Sequence, residues 1–407
     1  MANVVVSGYG AITPLGRGAQ QLWEGLNALE SGIGTLEDER FSAAGLGTAV
    51  AAAVTVDMEQ LLGRPKSRRL DRSQQFALLA AQEAWEDAGL DEVDPERLAV
   101  VIGTGIGGLT TLLAQEEVLH NSGPRRVSPR TVPMLMANAA SAQVAMAYGA
   151  KAGTYTPVSA CAAGAEAVAS AARLIASGEA DVVIAGGAEA AVAPLTVAAF
   201  GQAQALAKPD ERPAAELSRP FSADRAGFVL GEGAGVVILE SEQHAAARKA
   251  RVRARLTGWG ITSDAYHITA SDPTGAGQVR AMRRAIAHAG IQPAQVGHVN
   301  AHATATSVGD LSESGAINEV FGHASVVTAP KGAIGHLVGA AGAVEAIITI
   351  QALEEQQVPP TRNVGRMDEQ IQLDVVTGAP RAVHLEHAIT NSFGFGGQNV
   401  SLLFSAN

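Results

Sequence analysis

Four short segments of the chain are almost wholly apolar and rich in valine, isoleucine and alanine. They are residues 4–8, 98–102, 181–185 and 236–239. Continuous apolar runs of this length are typical of strands that are buried on both faces. Longer stretches rich in alanine separate them. The pattern therefore predicts strands alternating with helices in an α/β layered fold.

Four longer stretches carry apolar residues at helical spacing. They are residues 73–88, 162–177, 279–289 and 341–356. A glycine follows each of the first three stretches, and Pro359 and Pro360 follow the fourth. Glycine after a helix and proline shortly beyond it are common stop signals, so each stretch is predicted to be one helix.

A weak internal repeat suggests that the chain is built from two related parts. Residues 4–10 resemble residues 254–260, and residues 161–164 and 336–339 each open an alanine-rich helix. We therefore predict an N-terminal half, residues 1–250, and a C-terminal half, residues 251–407. Coincidence in a chain rich in alanine and glycine is the alternative.

Composition excludes several classes of protein. The 407 residues include one cysteine, which excludes an internal disulfide and any metal site built from several thiolates, so no metal site is expected. The net charge of −11 argues against nucleic-acid binding. No apolar run is long enough to span a membrane, and the first residues are typical of a strand rather than a signal peptide. The expected location is the cytoplasm.

Cys161 is a candidate nucleophile. It lies between an apolar stretch and a predicted helix. The positive end of the helix dipole is expected to lower the pKa of a thiol there and to favour the thiolate. A buried structural cysteine is the alternative.

Two histidines and a lysine lie in segments rich in small residues. Small neighbours would let a substrate approach His302, although a structural histidine in a loop is the alternative. His336 precedes a predicted helix, where it should stay neutral and could donate a hydrogen bond from Nε2 to an oxyanion. Lys331 is either a cation of the site or an ion-pair partner of Glu345, and both roles can coexist.

Two glycine-rich segments lack the sequence patterns of nucleotide-binding loops. Residues 391–399 lack the lysine and spacing of a phosphate loop, and residues 103–108 match no complete dinucleotide fingerprint. The chemistry therefore rests on one thiol, two histidines and one lysine. A thiolate can hold an acyl group as a thioester while two neutral histidines stabilise an enolate. A cysteine protease would need only one histidine.

Together these motifs resemble the β-ketoacyl-acyl carrier protein (ACP) synthases, most closely the elongating type (KAS I and II) of actinobacteria. The motifs that carry the resemblance are residues 158–164, 219–233, 300–306, 331–336 and 391–397. The resemblance extends over essentially the whole chain. It implies a thiolase-like fold, in which duplicated halves form a five-layer αβαβα sandwich, usually in a homodimer.

The resemblance also implies a role for each motif residue. Cys161 would accept the acyl chain from ACP, and His302 and His336 would assist malonyl-ACP decarboxylation and stabilise its enolate. Lys331 would organise the site with Glu345.

The backbone N–H groups of Cys161 and Phe395 would form an oxyanion hole, with Phe395 also acting as a gate. Further support of the site is expected from three neighbours of His302, namely Thr304, Thr306 and Asp310.

The positions of other residues in the chain suggest an acyl pocket and a docking surface. The expected acyl pocket contains Ile106, Met134, Phe200 and Phe393, with ordinary core residues as the alternative. ACP is acidic, so docking needs a basic patch. The candidate docking residues are Arg64, Lys66, Arg68, Arg69, Arg72, Arg125, Arg126 and Arg130, with solvated surface charge as the alternative.

The function implied is fatty acid elongation with no resident cofactor, since acyl groups arrive on the phosphopantetheine of ACP. One alternative is the catalytic ketosynthase of a type II polyketide synthase, paired with a chain-length factor. Another is a non-catalytic scaffold subunit. A thiolase is disfavoured because it needs a second cysteine. A KAS III-type starter enzyme would carry asparagine in place of His336.

Overall fold

The computed structural model describes residues 3–47 and 49–407, and ten strands form its central sheet. In chain order the strands are β1 (Val4–Thr13), β2 (Leu98–Gly103), β3 (Gly153–Tyr155), β4 (Val182–Glu189), β5 (Gly233–Ser241), β6 (Ala254–Ser263), β7 (Val296–Asn300), β8 (Val326–Thr328), β9 (His387–Gly394) and β10 (Gln398–Ser405). Two-residue strands at Gly16–Arg17 and Asp374–Val375 extend the sheet. The four predicted strands correspond to β1, β2, β4 and β5.

The ten strands form two blocks of five with the same topology. The spatial order is β1-β5-β4-β2-β3 in the first block and β6-β10-β9-β7-β8 in the second. In each block three neighbouring strands are parallel, and the next strand, β5 or β10, runs antiparallel to them. The last strand, β1 or β6, pairs antiparallel with that one. The blocks join edge to edge where β1 pairs with β6. The internal repeat seen in the sequence is therefore a repeat of topology.

Nine helices of nine or more residues accompany the strands in the described part of the chain. They are α1 (Ala19–Asn27), α2 (Arg72–Ala88), α3 (Leu109–Ser122), α4 (Ala139–Tyr148), α5 (Ala163–Ala176), α6 (Pro194–Gln202), α7 (Ala276–Ala289), α8 (Ser307–Phe321) and α9 (Ala341–Glu355). Shorter helices are Glu39–Ala43, Met58–Leu62, Arg64–Ser67, Thr131–Leu135, Glu242–Ala247 and Lys331–Ile334. The four predicted helices correspond to α2, α5, α7 and α9.

The helices sort into three layers around the two blocks. Helices α2 and α4 cover the outer face of the first block, and α7 and α8 cover that of the second. Helices α5 and α9 lie between the blocks and pack on strands of both. The predicted five-layer αβαβα sandwich of duplicated halves is confirmed. The expected bounds of the two halves, residues 1–250 and 251–407, stay a prediction.

Glycines let α5 and α9 cross closely. A Cβ on Gly342 would lie 2.8 Å from the backbone nitrogen of Ala165, and one on Gly164 would lie 2.9 Å from that of Ala343. Residues 341–353 of α9 are all buried, as expected for a central helix. Because the crossing is near both N-termini, the residues that precede the two helices are brought side by side.

No helix in the described residues is long and apolar enough to cross a membrane.

Candidate active site

Cys161 lies in a short 3₁₀ turn, Ala160–Ala162, directly before α5. The turn begins with Ala160 at a φ of 51°, a left-handed conformation that costs an alanine roughly 1–3 kcal/mol. The Cys161 side chain is half-buried and lines a cavity. The strained turn therefore presents the thiol to a space that a substrate can enter.

His336 contacts the thiol directly. Its Nε2 lies 3.0 Å from the Cys161 Sγ, and its Nδ1 accepts a hydrogen bond of 3.3 Å from the backbone N–H of Val338. A backbone amide can only donate, so the ring proton of the neutral histidine is on Nε2 and points into the site. Burial, and then the charge of Lys331, hold the pKa of His336 well below its ordinary value. His336 is therefore a neutral hydrogen-bond donor.

His302 lies beside His336, just after strand β7. The two ring centres are 5.4 Å apart at an interplanar angle of 86°. The Cys161 Sγ and one ring nitrogen of each histidine all lie within 4.8 Å of one another. Burial, then the charge of Lys331, lower the pKa of His302 well below its ordinary value. The thiol therefore faces two uncharged imidazoles.

Lys331 and Glu345 form an ion pair behind the histidines, and each is only 1% exposed. Burial raises the pKa of Glu345 to about 7, against the lowering effect of Lys331. The positive charge of Lys331 also lowers the pKa of both histidines. Both roles considered for Lys331 from the sequence therefore coexist.

The state of the thiol differs from the sequence expectation. Burial raises the pKa of Cys161 to about 11, although the backbone N–H of Phe395 and the charge of Lys331 act in the opposite direction. The effect of the helix dipole depends on the local chain alone. The loss of water around the sulfur outweighs it.

The raised pKa predicts a pH dependence for alkylation of Cys161. The thiolate is the reactive form, so the rate with iodoacetamide should rise about tenfold per pH unit from pH 7 to pH 10. Mass spectrometry of the alkylated protein measures this directly, because the chain has one cysteine. A rate that is already constant above pH 8 would instead support the lowered pKa expected from the helix dipole.

Phe395 approaches Cys161 through its backbone. Its N–H donates toward the sulfur, as does the N–H of Cys161 itself. The approach requires a glycine before it, since a Cβ on Gly394 would lie 2.8 Å from the Ser159 carbonyl oxygen. The ring of Phe395 lies edge-on to Phe200, with 6.3 Å between ring centres. Two amide donors and an aromatic side chain thus meet at the thiol.

The expected supporting residues lie on the His302 segment and have different contacts. Thr304 and Thr306 line the cavity, and their hydroxyl oxygens are 3.1 Å apart. Asp310 is buried and does not line the cavity. It accepts a hydrogen bond of 2.8 Å from the backbone of Phe221. Asp310 also accepts a backbone hydrogen bond from Ala305, so it supports this loop from behind.

Glu313 is a support that the sequence reasoning missed. Its carboxylate accepts hydrogen bonds from the backbone N–H groups of His302 and Ala303, at 2.8 and 2.7 Å. Burial raises its pKa to about 7. Its position 11 residues after His302, on the first turns of a helix, carries no distinctive motif.

The cavity has a volume of about 490 Å³, and three of the four residues expected in an acyl pocket line it. Ile106, Phe200 and Phe393 belong to this lining, whereas Met134 does not. Met134 lies on the short helix Thr131–Leu135, where it lines separate surface depressions with Leu70. Within this chain, Met134 is therefore removed from the expected pocket.

Glu189 is a second residue that the sequence reasoning missed. It ends β4 and is fully buried. It accepts hydrogen bonds from the N–H of Gly105 at 2.6 Å and of Gly339 at 3.2 Å, and from the hydroxyl of Thr104 at 3.2 Å. Gly105 lines the cavity beside Ile106, and Gly339 directly follows the Val338 amide that bonds His336. Glu189 therefore ties the cavity wall to the segment that orients His336. The sequence signal for Glu189 was an acidic residue at the end of an apolar strand.

We expect Glu189→Gln to lower kcat/KM about tenfold and to change the preferred acyl length. An amide presents its own N–H₂ to several donors, which leaves buried groups unpaired at about 1–3 kcal/mol each. The matched control is Glu240→Gln on neighbouring β5, whose buried carboxylate pairs with Arg248. Thermal unfolding measures the stability of the two variants. Steady-state kinetics with acyl chains of different length measure kcat/KM and the preferred acyl length. If the two variants lose stability alike and neither changes length preference, Glu189 is only structural.

Five of the candidate docking residues surround two surface depressions that share Leu70 and Met134, and Arg68 and Arg72 line one of them. Lys66, Arg69 and Arg130 line the other depression, of about 540 Å³, together with Met134. Arg64 and Arg68 approach Glu59 at 3.7 and 3.6 Å, and Arg125 and Arg126 are exposed on a short turn after α3.

Arg72 differs from the other candidate docking residues in its contacts, and its role in docking stays a prediction. Its guanidinium forms an ion pair of 2.7 Å with buried Glu232 and donates to the Val54 carbonyl at 2.6 Å. Its charge is therefore paired with a buried carboxylate, although 32% of the side chain is exposed.

Together the geometry suits the transfer of an acyl thioester. A thiol accompanied by two backbone N–H donors can hold a tetrahedral oxyanion, and two neutral imidazoles can stabilise a second anionic oxygen.

The family comparison divides the chain in two. A model of the family described as "Beta-ketoacyl synthase, N-terminal domain" matches residues 1–245, and one described as "Beta-ketoacyl synthase, C-terminal domain" matches residues 253–365.

Individual relatives match over nearly their full length. The "3-oxoacyl-[acyl-carrier-protein] synthase 2" of Mycobacterium bovis is 44% identical over 98% of this chain and 96% of its own. The ketosynthase solved with its type II polyketide synthase (PKS) acyl-carrier protein is 29% identical, with a TM-score of 0.91 over 100% of this chain and 99% of that one. The ishigamide ketosynthase/chain length factor structure is 32% identical, with a TM-score of 0.91 over the same shares.

Proposed function

Because this chain belongs to the beta-ketoacyl synthase family, we propose that it condenses an acyl chain held on Cys161 with malonyl-ACP in fatty acid elongation. The observation that carries the proposal is the cluster of one thiol and two neutral histidines within 4.8 Å. The chain is accordingly proposed to be an acyltransferase.

In the first half-reaction the Cys161 sulfur attacks the thioester carbonyl of acyl-ACP. The backbone N–H groups of Cys161 and Phe395, which already point to the sulfur, would hold the oxyanion of the tetrahedral intermediate. The intermediate collapses as the carrier thiolate leaves, and the proton of the Cys161 thiol ends on that sulfur. The products are acyl-Cys161 and free ACP.

In the second half-reaction malonyl-ACP loses CO₂. The electron pair of the broken carbon–carbon bond forms an enolate, whose oxygen the Nε2–H of His336 and the imidazole of His302 would stabilise. The carbanion then attacks the acyl-Cys161 carbonyl, and Cys161 leaves as a thiolate, which takes up a proton from water to restore the thiol. The proposal needs no resident cofactor, because both acyl groups arrive on the phosphopantetheine of ACP.

ACP is the proposed partner, and its negative charge calls for a basic surface. We place docking at the depression lined by Lys66, Arg69 and Arg130, since their charges have no carboxylate within ion-pair distance in the described residues. Arg64, Arg68, Arg72, Arg125 and Arg126 stay predictions as docking residues. The cytoplasmic location also stays a prediction.

We expect the double variant Lys66→Gln/Arg69→Gln to raise KM for ACP substrates about tenfold with kcat nearly unchanged. Surface charges steer association, so the salt dependence of kcat/KM should also weaken. Arg283→Gln is the matched control, because that arginine is 58% exposed on the distant helix α7. An equal change in the control, or an unchanged KM, excludes this surface.

A second copy of the chain is the proposed dimer partner. Strand β3 is an open edge of the sheet. Several large apolar side chains before and around it are exposed, namely Leu112, Leu119, Val132, Met136, Met146, Tyr155 and Val158. An open edge with an apolar surround is a typical interface. Sedimentation analysis of the protein measures this state.

A polyketide ketosynthase working with a chain-length factor is the second candidate. The likeness to the ishigamide ketosynthase/chain length factor favours it. The higher identity of 44% to the mycobacterial 3-oxoacyl synthase supports fatty acid elongation as the first choice.

The test of the proposal is intact-protein mass spectrometry with a panel of acyl-ACPs, followed by addition of malonyl-ACP. One acyl adduct of the chain alone, and its conversion to 3-oxoacyl-ACP, is the expected result. An adduct that forms only after a chain-length factor is added would favour the polyketide pathway. No adduct in either case would favour the scaffold function.

A further inference from the structure

A second large cavity lies away from the thiol and is lined by four arginines. Its volume is about 770 Å³, and the arginines are Arg212, Arg219, Arg362 and Arg366. Glu216 and Asp224 are the acidic residues of the lining, which leaves a net charge of two positive on a protein with a net charge of −11. We call this space the arginine cavity. It shares no lining residue with the cavity at Cys161.

Two of the four arginines are used by the fold. Arg212 forms an ion pair of 2.6 Å with Asp224 and one of 3.4 Å with Asp210. Arg219 is 5% exposed and donates to the carbonyl oxygens of Glu216 and Asp224, at 3.1 and 2.7 Å. These contacts fix one wall of the cavity.

The other two arginines carry uncompensated charge. Among residues 3–47 and 49–407, no carboxylate lies within 4.0 Å of the guanidinium groups of Arg362 or Arg366. Arg362 donates one bond to the Leu29 carbonyl. The buried Nε–H of Arg362 has no hydrogen-bond acceptor in the described residues, whereas the Nε of Arg219 lies 3.5 Å from the Asp224 carboxylate. A buried donor without an acceptor costs about 1–3 kcal/mol, so the Arg362 guanidinium keeps hydrogen-bonding capacity that an anionic acceptor can use.

The frame of the arginine cavity is held in place before any ligand binds. The Arg366 carbonyl accepts a bond of 2.8 Å from the N–H of Ala223. Asn363 donates to the carbonyl oxygens of Ala215 and Ser218, at 2.9 and 2.8 Å. The segments that carry the arginines are therefore tied to each other, which suits a binding site.

We propose that the arginine cavity binds a small molecule through a phosphate group. The planar fork of each guanidinium matches the oxygens of a phosphate, and a terminal phosphate of about two negative charges balances Arg362 and Arg366. The volume is in the range of about 300–1,000 Å³ found for small-molecule sites. The rest of the ligand would lie along Thr361, Val364 and Thr377.

The arginine cavity also touches the segment that carries Lys331. Asn363 donates to the Gly332 carbonyl at 3.3 Å, and the Ser218 hydroxyl donates to the Lys331 carbonyl at 2.7 Å. A ligand bound between Arg362 and Arg366 would therefore brace the Lys331–Ile334 turn. This effect concerns the backbone and does not depend on the reaction at Cys161.

Calorimetric titration of the whole protein with inorganic pyrophosphate and with ADP tests the proposal. We expect saturable binding of both at low salt, weakened about tenfold in Arg362→Gln and in Arg366→Gln. If ADP binds more tightly than pyrophosphate, the organic part of the ligand also contacts the cavity. If the two affinities are equal, the phosphates alone are recognised. Arg366 is exposed, so its variant should fold even if Arg362→Gln does not.

Two controls decide the outcome. Arg251→Gln removes a 70% exposed arginine outside the arginine cavity, and Lys66→Gln/Arg69→Gln alters the docking depression. Both should bind the probes as the wild type does. Pyrophosphate should also slow hydrogen exchange in residues 329–335 and 361–366. No binding of either probe at millimolar concentration, or equal weakening in the controls, would overturn the proposal.

Discussion

The Cys161→Ala variant is expected to form no acyl adduct and to lose condensation activity by at least about 10⁴-fold. The chain has one cysteine, so no other thiol can accept the acyl group. Removal of a nucleophile eliminates the covalent route entirely, which is why such losses are among the largest that single substitutions cause. Intact mass after incubation with acyl-ACP and the rate of 3-oxoacyl-ACP formation are the two measurements.

The same variant separates the two half-reactions. Its His302 and His336 are unchanged, so decarboxylation of malonyl-ACP should continue while condensation stops. Cys161→Ser is the control for shape, since it keeps a polar atom at the same position with far weaker nucleophilicity. Elongation retained in Cys161→Ala would contradict the nucleophile assignment.

The sandwich could be predicted because its strands and helices carry strong local signals. Strands β1, β2, β4 and β5 are continuous apolar runs, and the central helices are stretches of alanine with a glycine near the start. Strand β3 gave no such signal, because it has three residues and the last two are exposed. Its position is set by pairing with β2, a contact that no local pattern encodes.

The motif residues could be located from the sequence, and their resemblance to a family brought them into one site. What the sequence could not provide was the environment of each group. The pKa of Cys161 is dominated by burial, which depends on residues from across the chain. Arg72 looked like a surface charge because its partner, Glu232, lies 160 residues away.

The supporting carboxylates were missed for a related reason. Glu189 and Glu313 mainly accept bonds from backbone N–H groups, and a backbone donor leaves no mark in the amino-acid sequence. A buried glutamate at the end of an apolar strand is costly unless it is paired. That cost is the signal by which such residues can be sought.

The His336→Ala variant is expected to release CO₂ from malonyl-ACP about 10²- to 10³-fold more slowly than the wild type. Loss of one hydrogen-bond donor to a developing oxyanion has this magnitude in other acyl-transfer sites. His302→Ala should show a loss of similar size, since its ring lies 5.4 Å from that of His336 and faces the same space. Acylation of Cys161 should be much less affected in His302→Ala, because the oxyanion donors in that step are backbone groups.

The tautomer of His336 makes the prediction sharper. Since Nδ1 accepts the Val338 N–H, Nε2 must carry the ring proton, so a replacement succeeds only if it presents a donor there. His336→Asn offers an amide N–H₂ and should retain more decarboxylation than His336→Ala. His288→Ala is the matched control, because His288 is exposed on α7, far from the cavity. If asparagine and alanine slow CO₂ release equally while both proteins stay folded, the donor role of His336 is wrong, and its contribution is the space that the ring fills beside the thiol.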